Sequence, residues 1–344
     1  MATTDREFAS SLSRGRLLAE AESATCNNCP DTTVATPQPQ EIGTRAATDG
    51  RANGGLSAWI RAIRPEQWLK NGFVLSPLLF SGRALEWDAQ WRAGLAFAAF
   101  CAVASAVYLM NDVVDREADR LHPRKARRPV AAGAISPAAA LIVASVIATA
   151  GVALGFLANT GVAIVLLSYL VLNVAYGTWL KNVVIVDVFA IAAFFIMRLV
   201  AGAISVNVKP SIWLLLCGGL LALYLGFAKR RHELMLLGTG SRSHRAVLAS
   251  YSTTFLDQLS VVLLSVTVVA YIMYTLESET AQIVGSEMLA YSTAFVLYGV
   301  LRYLYLVHRN EGGDPTETLL TDRSLGMAVV LWGAYCGAII YLAR

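Results

Sequence analysis

The chain has 344 residues, of which 56% are hydrophobic and only 15% are charged. Soluble globular chains carry about 25% charged residues, so the composition excludes a soluble protein, a disulfide scaffold, a nucleic-acid-binding module and an intrinsically disordered chain. The formal net charge of +4 is too small and too mixed in sign to indicate a partner. The composition instead predicts a membrane domain with a polar extension.

Residues 1–55 differ from the rest of the chain because they are polar and contain no long apolar run. We expect a disordered cytosolic extension there, without a secretory leader. Cys26 and Cys29 form a single CxxC in this segment without a second pair at metal-ligand spacing, so we expect neither metal nor redox chemistry from them. A transmembrane domain is predicted to follow at 56–344.

Nine apolar stretches follow, and most approach the roughly 20 residues that an α-helix needs to span a bilayer. They are continuous rather than alternating, which excludes a transmembrane β-barrel. The predicted fold is therefore all-α, a polytopic bundle of nine transmembrane helices. The stretches lie at about 69–82, 93–111, 137–158, 161–180, 183–206, 211–228, 254–276, 288–307 and 324–343.

Lysine and arginine residues are concentrated before the first stretch and on every second connection after it. Because cytosolic loops carry an excess of Lys and Arg, the N-terminus is predicted to lie in the cytosol and the C-terminus outside. The polar motifs described next then lie at the cytosolic surface.

The first polar motif lies where the second stretch leaves the membrane. Three carboxylates, one amide and one tyrosine share an arc of about 100° on the predicted helix. These residues are Tyr108, Asn111, Asp112, Asp115 and Asp119. Carboxylates this close repel each other unless a cation lies between them, and hard oxygen ligands suit Mg²⁺ shared with the phosphates of a substrate. A solvated helix end with mixed charges is the alternative interpretation.

A basic segment follows this motif directly. Lys125 and Arg128 are its predicted anion-binding residues, since they lie next to the acidic stripe. Positive-inside topology alone is the alternative explanation for their charge.

Polar residues also surround the fifth stretch. Tyr176 and Lys181 precede it, Asp187 lies near its start, and Arg198 follows eleven residues later on the same helical face. Because a buried Arg within a membrane is costly, Arg198 is a functional-site hypothesis. A structural Arg, bonded to a helix carbonyl or to a neighbouring carboxylate, is the alternative.

The cytosolic end of the sixth stretch carries a basic group. Its members are Lys229, Arg230, Arg231, His232 and Glu233. Cations at the end of a helix are favourable with the helix macrodipole, which is the structural explanation. The functional interpretation, which we favour, is binding of a second anionic group opposite the acidic stripe.

The segment from Asn111 to Pro129 resembles the first aspartate motif of the UbiA superfamily of membrane prenyltransferases. The similarity includes the segments 64–71 and 176–202 and covers about 57–344. It implies the nine-helix fold of that superfamily, a catalytic domain and Mg²⁺ as the cofactor. The implied catalytic residues are Asn111, Asp112, Asp115 and Asp119. The implied metal ligands are Asn111, Asp115 and Asp119.

One departure from the family pattern points to a particular branch. Members that use a prenyl diphosphate donor carry a second Asp-rich motif at the end of the sixth helix, where this chain has the basic segment 229–233. The resemblance therefore implies phosphoribosyl pyrophosphate (PRPP) as donor and a polyprenyl phosphate lipid as acceptor. It also implies a bacterial plasma membrane and a role in making a precursor of cell-wall arabinan.

The implied substrate contacts extend over all these motifs. The lipid phosphate is expected near Lys70, Asn71 and Tyr108. The donor phosphates are expected near Lys125, Arg128, Lys181, Lys229, Arg230 and Arg231. The remaining residues assigned to the substrate site are Tyr176, Asp187, Arg198, His232 and Glu233.

Two other functions stay open at this point, and a homo-oligomer is compatible with the sequence. One function is a prenyl diphosphate transferase of the same fold, acting on an aromatic or other small acceptor. The other is an anion transporter, for which paired internal repeats are expected and are missing from the sequence.

Overall fold

The computed structural model describes residues 55–122, 125–237, 248, 250–277, 287–309, 318–319 and 321–342. These residues form helices and turns, and no β-strand occurs among them, which confirms the predicted all-α fold. The extension at 1–55 stays a prediction, because only its last residue is described. Cys26 and Cys29 likewise lie outside the described residues.

The described residues form eleven α-helices and four 3₁₀ segments. The α-helices are α1 (Leu56–Ile63), α2 (Ser76–Phe80), α3 (Trp87–Val114), α4 (Arg116–Arg120), α5 (Pro137–Ala158), α6 (Thr160–Thr178), α7 (Val186–Ser205), α8 (Ile212–Leu237), α9 (Thr253–Leu276), α10 (Thr293–His308) and α11 (Arg323–Leu342). The 3₁₀ segments are Pro65–Leu75, Lys125–Arg127, Leu180–Asn182 and Glu287–Ser292.

Eight of the helices, α3 and α5 to α11, are long and apolar enough to cross a membrane. They correspond to the second to ninth predicted stretches, and the chain is a polytopic membrane protein. In α3 and α7 more than half of the spanning residues are buried, so these two helices form the centre of the bundle. The polar motifs at Asp112 and Asp187 therefore lie on the ends of the two central helices.

The first predicted stretch, 69–82, forms a crossing of a different kind. The 3₁₀ segment Pro65–Leu75 is followed directly by α2. With a rise of about 2.0 Å per residue in the 3₁₀ part and about 1.5 Å in the α-helical part, the two extend about 30 Å, close to the thickness of a bilayer core. The eight long helices and this first crossing together agree with the nine predicted crossings.

The two ends of the first crossing contact opposite ends of the bundle. Arg64, directly before the crossing, contacts Asp112 on the last turn of α3. Phe80, at its end, packs against Tyr274 near the end of α9 and against Trp332 of α11, with ring centres 6.1 and 5.7 Å away. The crossing therefore connects the end of the bundle that carries the polar motifs with the opposite end.

Two glycines allow backbones to approach α7 closely from both sides. A Cβ at Gly202 would overlap with the carbonyl oxygen of Val74 in the first crossing. A Cβ at Gly226 of α8 would lie 2.6 Å from Cγ1 of Val188. Because α7 is held between these neighbours, the position of its first turn, which carries Asp187, is determined by the packing of three segments.

Candidate active site

The carboxylates of the first motif are held by two arginines from other segments. We call this group the acidic cluster, and its members are Arg64, Asp112, Asp119 and Arg128. Asp112 is 1% exposed and accepts hydrogen bonds from Arg64 and from Nη1 of Arg128, the latter at 3.3 Å. The same Nη1 donates to Oδ2 of Asp119 at 2.5 Å. Two buried carboxylates therefore share one guanidinium group.

Oxygen atoms without a partner remain beside the acidic cluster. Oδ2 of Asp112 is buried and accepts no hydrogen bond. Asn111 is exposed and Asp115 is half-buried, and neither side chain forms a hydrogen bond or ion pair with a described residue. Within the described ranges, no three His, Cys, Asp or Glu side chains form a ready-made metal cluster.

These free oxygens fit a cation that takes most of its ligands from outside the protein. Mg²⁺ is usually bound through one or two carboxylates and completes its shell with water and substrate phosphates. Asn111 and Asp115, together with the buried Oδ2 of Asp112, can supply such a partial set. The unpaired buried oxygen of Asp112 is the observation that favours a cation here, because a buried carboxylate oxygen otherwise has a donor.

The helical periodicity of the sequence predicts that the first motif lies on one continuous helix, but the structure divides it. α3 ends at Val114, Asp115 occupies a turn, and α4 begins at Arg116. Asp119 lies against Arg128 on the far side of this interruption. Asp119 is ion-paired with Arg128 in this structure, and its role as a metal ligand stays a prediction.

Arg64 is not among the predicted site residues, and the structure adds it. Its backbone has a φ of 53°, a left-handed conformation that is rare for residues other than glycine. Its guanidinium group contacts Asp112 and lies 5.1 Å from the ring centre of Tyr108. The available sequence signal is the Arg-Pro pair at 64–65, placed directly before the first apolar stretch.

Two lysines at this end have free charges. Lys125 is exposed on one 3₁₀ segment and Lys181 is half-buried on another, and neither side chain is paired with a described residue. Lys70, on the first crossing, is also half-buried. Tyr176 packs its ring against Phe194, with ring centres 6.0 Å apart. Lys125 and Lys181 are therefore cations that an anionic substrate can reach without breaking an existing ion pair.

The end of α8 carries a second set of ion pairs, which we call the basic cluster. Its members are Asp187, Arg230, Arg231, Glu233 and Asp257. Arg230 is 2% exposed, and its Nε donates to Oδ2 of Asp187 at 2.8 Å. Its Nη1 donates to Oε2 of Glu233 at 2.7 Å. This pairing joins α8 to α7. Arg230 is therefore already engaged within the protein, whereas the sequence pattern predicts that it contacts a phosphate.

Arg231 is engaged in the same way on the other side of α8. Its Nε donates to Oδ1 of Asp257 at 2.5 Å, and its Nη1 donates to the carbonyl oxygen of Val307 at 3.1 Å. Arg231 therefore joins α8 to α9 and α10, and the predicted phosphate contacts of Arg230 and Arg231 stay predictions. Lys229 and His232, on the same turn, are half-buried.

Asp187 has a second partner, Tyr251, which is not among the predicted site residues. The Tyr251 hydroxyl donates to Oδ1 of Asp187 at 3.2 Å and accepts from the backbone N–H of Ile185 at 2.6 Å. Burial raises the pKa of Tyr251 to about 12, so the hydroxyl keeps its proton at neutral pH. No local motif in the sequence distinguishes Tyr251 from the other tyrosines.

Arg198 occupies a closed site inside the bundle. Its Nε donates to Oδ1 of Asn71 at 2.8 Å, and its Nη1 donates to the carbonyl oxygen of Phe194 at 2.6 Å. Its Nη2 donates to the hydroxyl of Tyr169 at 3.1 Å, and no ion pair joins it to Asp187. The geometry favours the structural alternative, since Asn71 and Arg198 bind each other and link the first crossing to α7.

Comparison with known proteins agrees with this architecture. Residues 73–330 match the UbiA prenyltransferase family. The decaprenyl-phosphate phosphoribosyltransferase of Mycolicibacterium smegmatis is 31% identical over 311 residues, which cover 86% of this chain and 96% of that protein. The protein of the same name from Mycobacterium tuberculosis is 32% identical over 285 residues, which cover 82% of this chain and 93% of that protein.

A solved structure has the same fold. The structure of a UbiA homolog from Archaeoglobus fulgidus bound to GPP and Mg²⁺ superposes with a TM-score of 0.63 at 17% sequence identity, covering 82% of this chain and 99% of that one. The family match, the curated relatives and the shared fold lead to one conclusion: this chain belongs to the UbiA prenyltransferase family.

Proposed function

We propose that this protein transfers the 5-phosphoribosyl group of PRPP to a polyprenyl phosphate such as decaprenyl phosphate. The products are polyprenyl-phosphoryl-5-phosphoribose and pyrophosphate. Relatives named decaprenyl-phosphate phosphoribosyltransferase match more than four fifths of the chain, which supports this assignment. The corresponding enzyme class is a Mg²⁺-dependent glycosyltransferase of the bacterial plasma membrane, with its active site on the cytosolic side.

The observation that carries the proposal is the charge pairing in the basic cluster. Asp187, Glu233 and Asp257 are each ion-paired with an arginine of α8. A second carboxylate metal site, which a prenyl diphosphate donor is expected to need at the end of this helix, therefore has no free carboxylate within the cluster. A donor whose pyrophosphate is bound at the acidic cluster, and whose separate second phosphate needs cations rather than a second metal site, fits this arrangement better.

The donor pyrophosphate is bound beside the acidic cluster. Asn111, Asp112 and Asp115 would hold Mg²⁺, which would supply positive charge to offset the negative charge that develops on the pyrophosphate leaving group. Lys125 lies close along the chain and contributes a further charge-assisted hydrogen bond to phosphate. Arg128 keeps Asp112 and Asp119 in place and turns its remaining N–H groups towards the donor.

The other phosphate of the donor is bound between the two clusters. Lys181, whose side chain pairs with no described residue, and Lys229, near the end of α8, contribute the positive charge there. Arg230 fixes Asp187, and through it the start of α7. The lysines on the two neighbouring segments are thereby held at a constant separation.

The acceptor enters from the bilayer with its phosphate near Lys70 and Tyr108. A phosphate oxygen of the lipid attacks the anomeric carbon of the ribose, and an oxygen–carbon bond forms as the carbon–oxygen bond to pyrophosphate breaks. Because a phosphate monoester is already ionised at neutral pH, no general base is needed. Arg64, which contacts the ring of Tyr108, orients this tyrosine at the point where the two substrates meet.

The experiment that tests this function supplies two substrate pairs to the purified protein in nanodiscs with Mg²⁺. One pair is labelled PRPP with decaprenyl phosphate, and the other is a labelled prenyl diphosphate with an aromatic acid. We expect a labelled lipid product only from the first pair. Product from the second pair alone would assign the chain to a prenyl diphosphate transferase. Absence of any lipid product, together with anion flux when the protein is reconstituted in liposomes, would assign it to a transporter.

A further inference from the structure

The turn between α6 and α7 is held in a strained conformation by one side chain. Ile185, the last residue before α7, has a φ of 70°, a region in which a β-branched residue is a true outlier. Such strain persists only where the surrounding structure imposes it. The backbone N–H of Ile185 donates to the hydroxyl of Tyr251 at 2.6 Å, so Tyr251 is the group that holds this residue.

Tyr251 is itself fixed by its ring. The ring lies edge-on to Phe227 and stacks on Phe255, with ring centres 6.3 Å away in both cases. Its hydroxyl also donates to Asp187, which is 1% exposed and ion-paired with Arg230. The hydroxyl therefore joins the strained turn to the basic cluster through two hydrogen bonds. The packing of the ring is a separate interaction that does not depend on the hydroxyl.

The same turn carries Lys181, a free cation of the candidate site. The backbone N–H of Val183 donates to the carbonyl oxygen of Leu180 at 3.1 Å, and the N–H of Asp187 donates to the carbonyl oxygen of Val183 at 3.0 Å. Lys181 is thus linked to Ile185 by a short, hydrogen-bonded stretch of backbone. We therefore expect a change in the backbone at Ile185 to shift the lysine relative to α7.

We infer that Tyr251 is a positioning residue for donor binding: its hydroxyl group holds the turn at Ile185 and thereby places Lys181 against a phosphate of the donor. This inference rests on the proposed function for the identity of the donor. Tyr251 does not contact the reacting atoms, and its effect passes through Lys181.

The variant that isolates the hydroxyl is Tyr251→Phe, because phenylalanine keeps the packing on Phe227 and Phe255. It leaves the N–H of Ile185 without a partner, so amide hydrogen exchange across 183–187 is expected to become about tenfold faster. The KM for PRPP is expected to rise about tenfold while kcat stays within about threefold, since a phosphate contact made equally in the ground and transition states is lost. The KM for the lipid acceptor is expected to stay unchanged.

A double-variant cycle tests whether the effect passes through Lys181. In a Lys181→Met background, Tyr251→Phe is expected to leave the KM for PRPP unchanged, since the lysine that it places is missing. In a Lys125→Met background, the matched control on the acidic side, Tyr251→Phe is expected to raise KM by its full factor. If Tyr251→Phe raised the KM for PRPP by its full factor in the Lys181→Met background, the inference would be overturned. It would also be overturned if Tyr251→Phe lowered only kcat and protein yield and left KM unchanged.

A second probe separates this inference from the proposed function. If the wild-type protein makes no phosphoribosylated lipid, the proposed function fails, and the same cycle is measured as affinity for ribose 5-phosphate, which carries the phosphate assigned to Lys181. Coupling between Tyr251 and Lys181 in that assay supports the positioning role for another phosphorylated donor. Independent effects of the two variants there would overturn the positioning role as well.

Discussion

The acidic cluster and the basic cluster lie on the ends of the two central helices and use the same kind of ion pair, but they leave different atoms free. In the acidic cluster, Asp112 keeps one buried oxygen without a donor, and Asp115 beside it is unpaired. In the basic cluster, all three carboxylates are paired with arginines. The first cluster can therefore bind a cation, whereas the second joins helices together.

The difference follows from where the arginines lie. Arg64 and Arg128 come from connecting segments, and their side chains are 21% and 27% exposed. Arg230 comes from a transmembrane helix and is 2% exposed between α7 and α8. A guanidinium at the surface can turn part of its hydrogen-bonding capacity towards a ligand. A buried guanidinium has exchanged its hydration for fixed partners, so removing it lowers the stability of the fold strongly.

The sharpest test of this comparison is Asp115→Asn. We expect Mg²⁺-dependent turnover to fall about 10²- to 10³-fold, because a ligand charge that stabilises the developing pyrophosphate is lost. The thermal midpoint Tm is expected to stay unchanged, since Asp115 pairs with no described residue. Steady-state turnover across a Mg²⁺ titration, with Tm in the same detergent, measures both quantities.

The matched control is Glu117→Gln, two residues further along the chain. Glu117 is exposed and paired with Arg120 at 3.1 Å, away from the unpaired oxygens of the site. Its turnover is expected to match the wild type. Equal losses from Asp115→Asn and Glu117→Gln would mean that the motif acts only through its overall charge, and the cation site would be rejected.

In the basic cluster, Arg230→Met is expected to destabilise the fold. The variant leaves Asp187 buried without its cation, and breaking a buried pair from one side costs about 3–5 kcal/mol. We expect a large fall in Tm, measured by intrinsic fluorescence in detergent. Lys181→Met is the control, since it removes a cation from the same end of the bundle without breaking an ion pair. If both variants have the same Tm, the assignment of Arg230 to a structural role is wrong.

A smaller effect is expected from Arg231→Met. Its partner Asp257 has a side chain that is 35% exposed, so water can solvate the carboxylate once the arginine is gone. The expected fall in Tm lies between that of Arg230→Met and the wild type, although the hydrogen bond to the carbonyl oxygen of Val307 is also lost. A fall in Tm larger than that of Arg230→Met would show that burial of the carboxylate does not determine how much stability is lost.

The long helices and the gathering of polar motifs at one end could be predicted from the sequence. Continuous apolar runs indicate transmembrane helices without any knowledge of their neighbours, and the excess of basic residues on alternate connections predicts their orientation. The first crossing could not be predicted as a 3₁₀ segment, because the Lys70, Asn71 and Gly72 that interrupt its apolar run do not distinguish a 3₁₀ segment from a short α-helix. The contact of Val74 with Gly202, which depends on a helix more than a hundred residues away, contributes to its conformation.

The pairing inside the site was beyond prediction for a related reason. Helical periodicity relates Asp187 to Arg198 on one helix, but Asp187 pairs with Arg230 on the next helix instead. Arg64 lies far from Asp112 in the sequence and reaches it only because α3 crosses back to the end of the bundle at which the first crossing begins. Residues of opposite charge were recognisable in the sequence, but the tertiary fold decides which of them neutralise each other.

The last and smallest effect concerns a more exposed pair, Arg302 of α10 with Asp322 before α11, joined at 2.7 Å. The hydrogen bond from Arg302 lowers the pKa of Asp322 below its ordinary value of 3.8. A lowered pKa in the folded state means that the pair stabilises the fold above about pH 3.8 and that this contribution is lost as the pH falls through the folded pKa. Asp322→Asn is therefore expected to have a slightly lower Tm than the wild type at neutral pH, by less than Arg231→Met.

The difference between the wild type and Asp322→Asn is expected to shrink as the pH is lowered below 3.8, which a series of Tm measurements at falling pH checks. Asparagine can still accept the hydrogen bond that the N–H of Leu325 donates to Asp322 at 2.7 Å, so the variant isolates the charge from the helix cap. A constant difference at all pH values would show that the effect does not come from the charge of Asp322. A fall in Tm as large as that caused by Arg230→Met would show that the contribution of an ion pair to stability does not depend on burial. The distinction between the basic cluster and the exposed ion pairs would then be wrong.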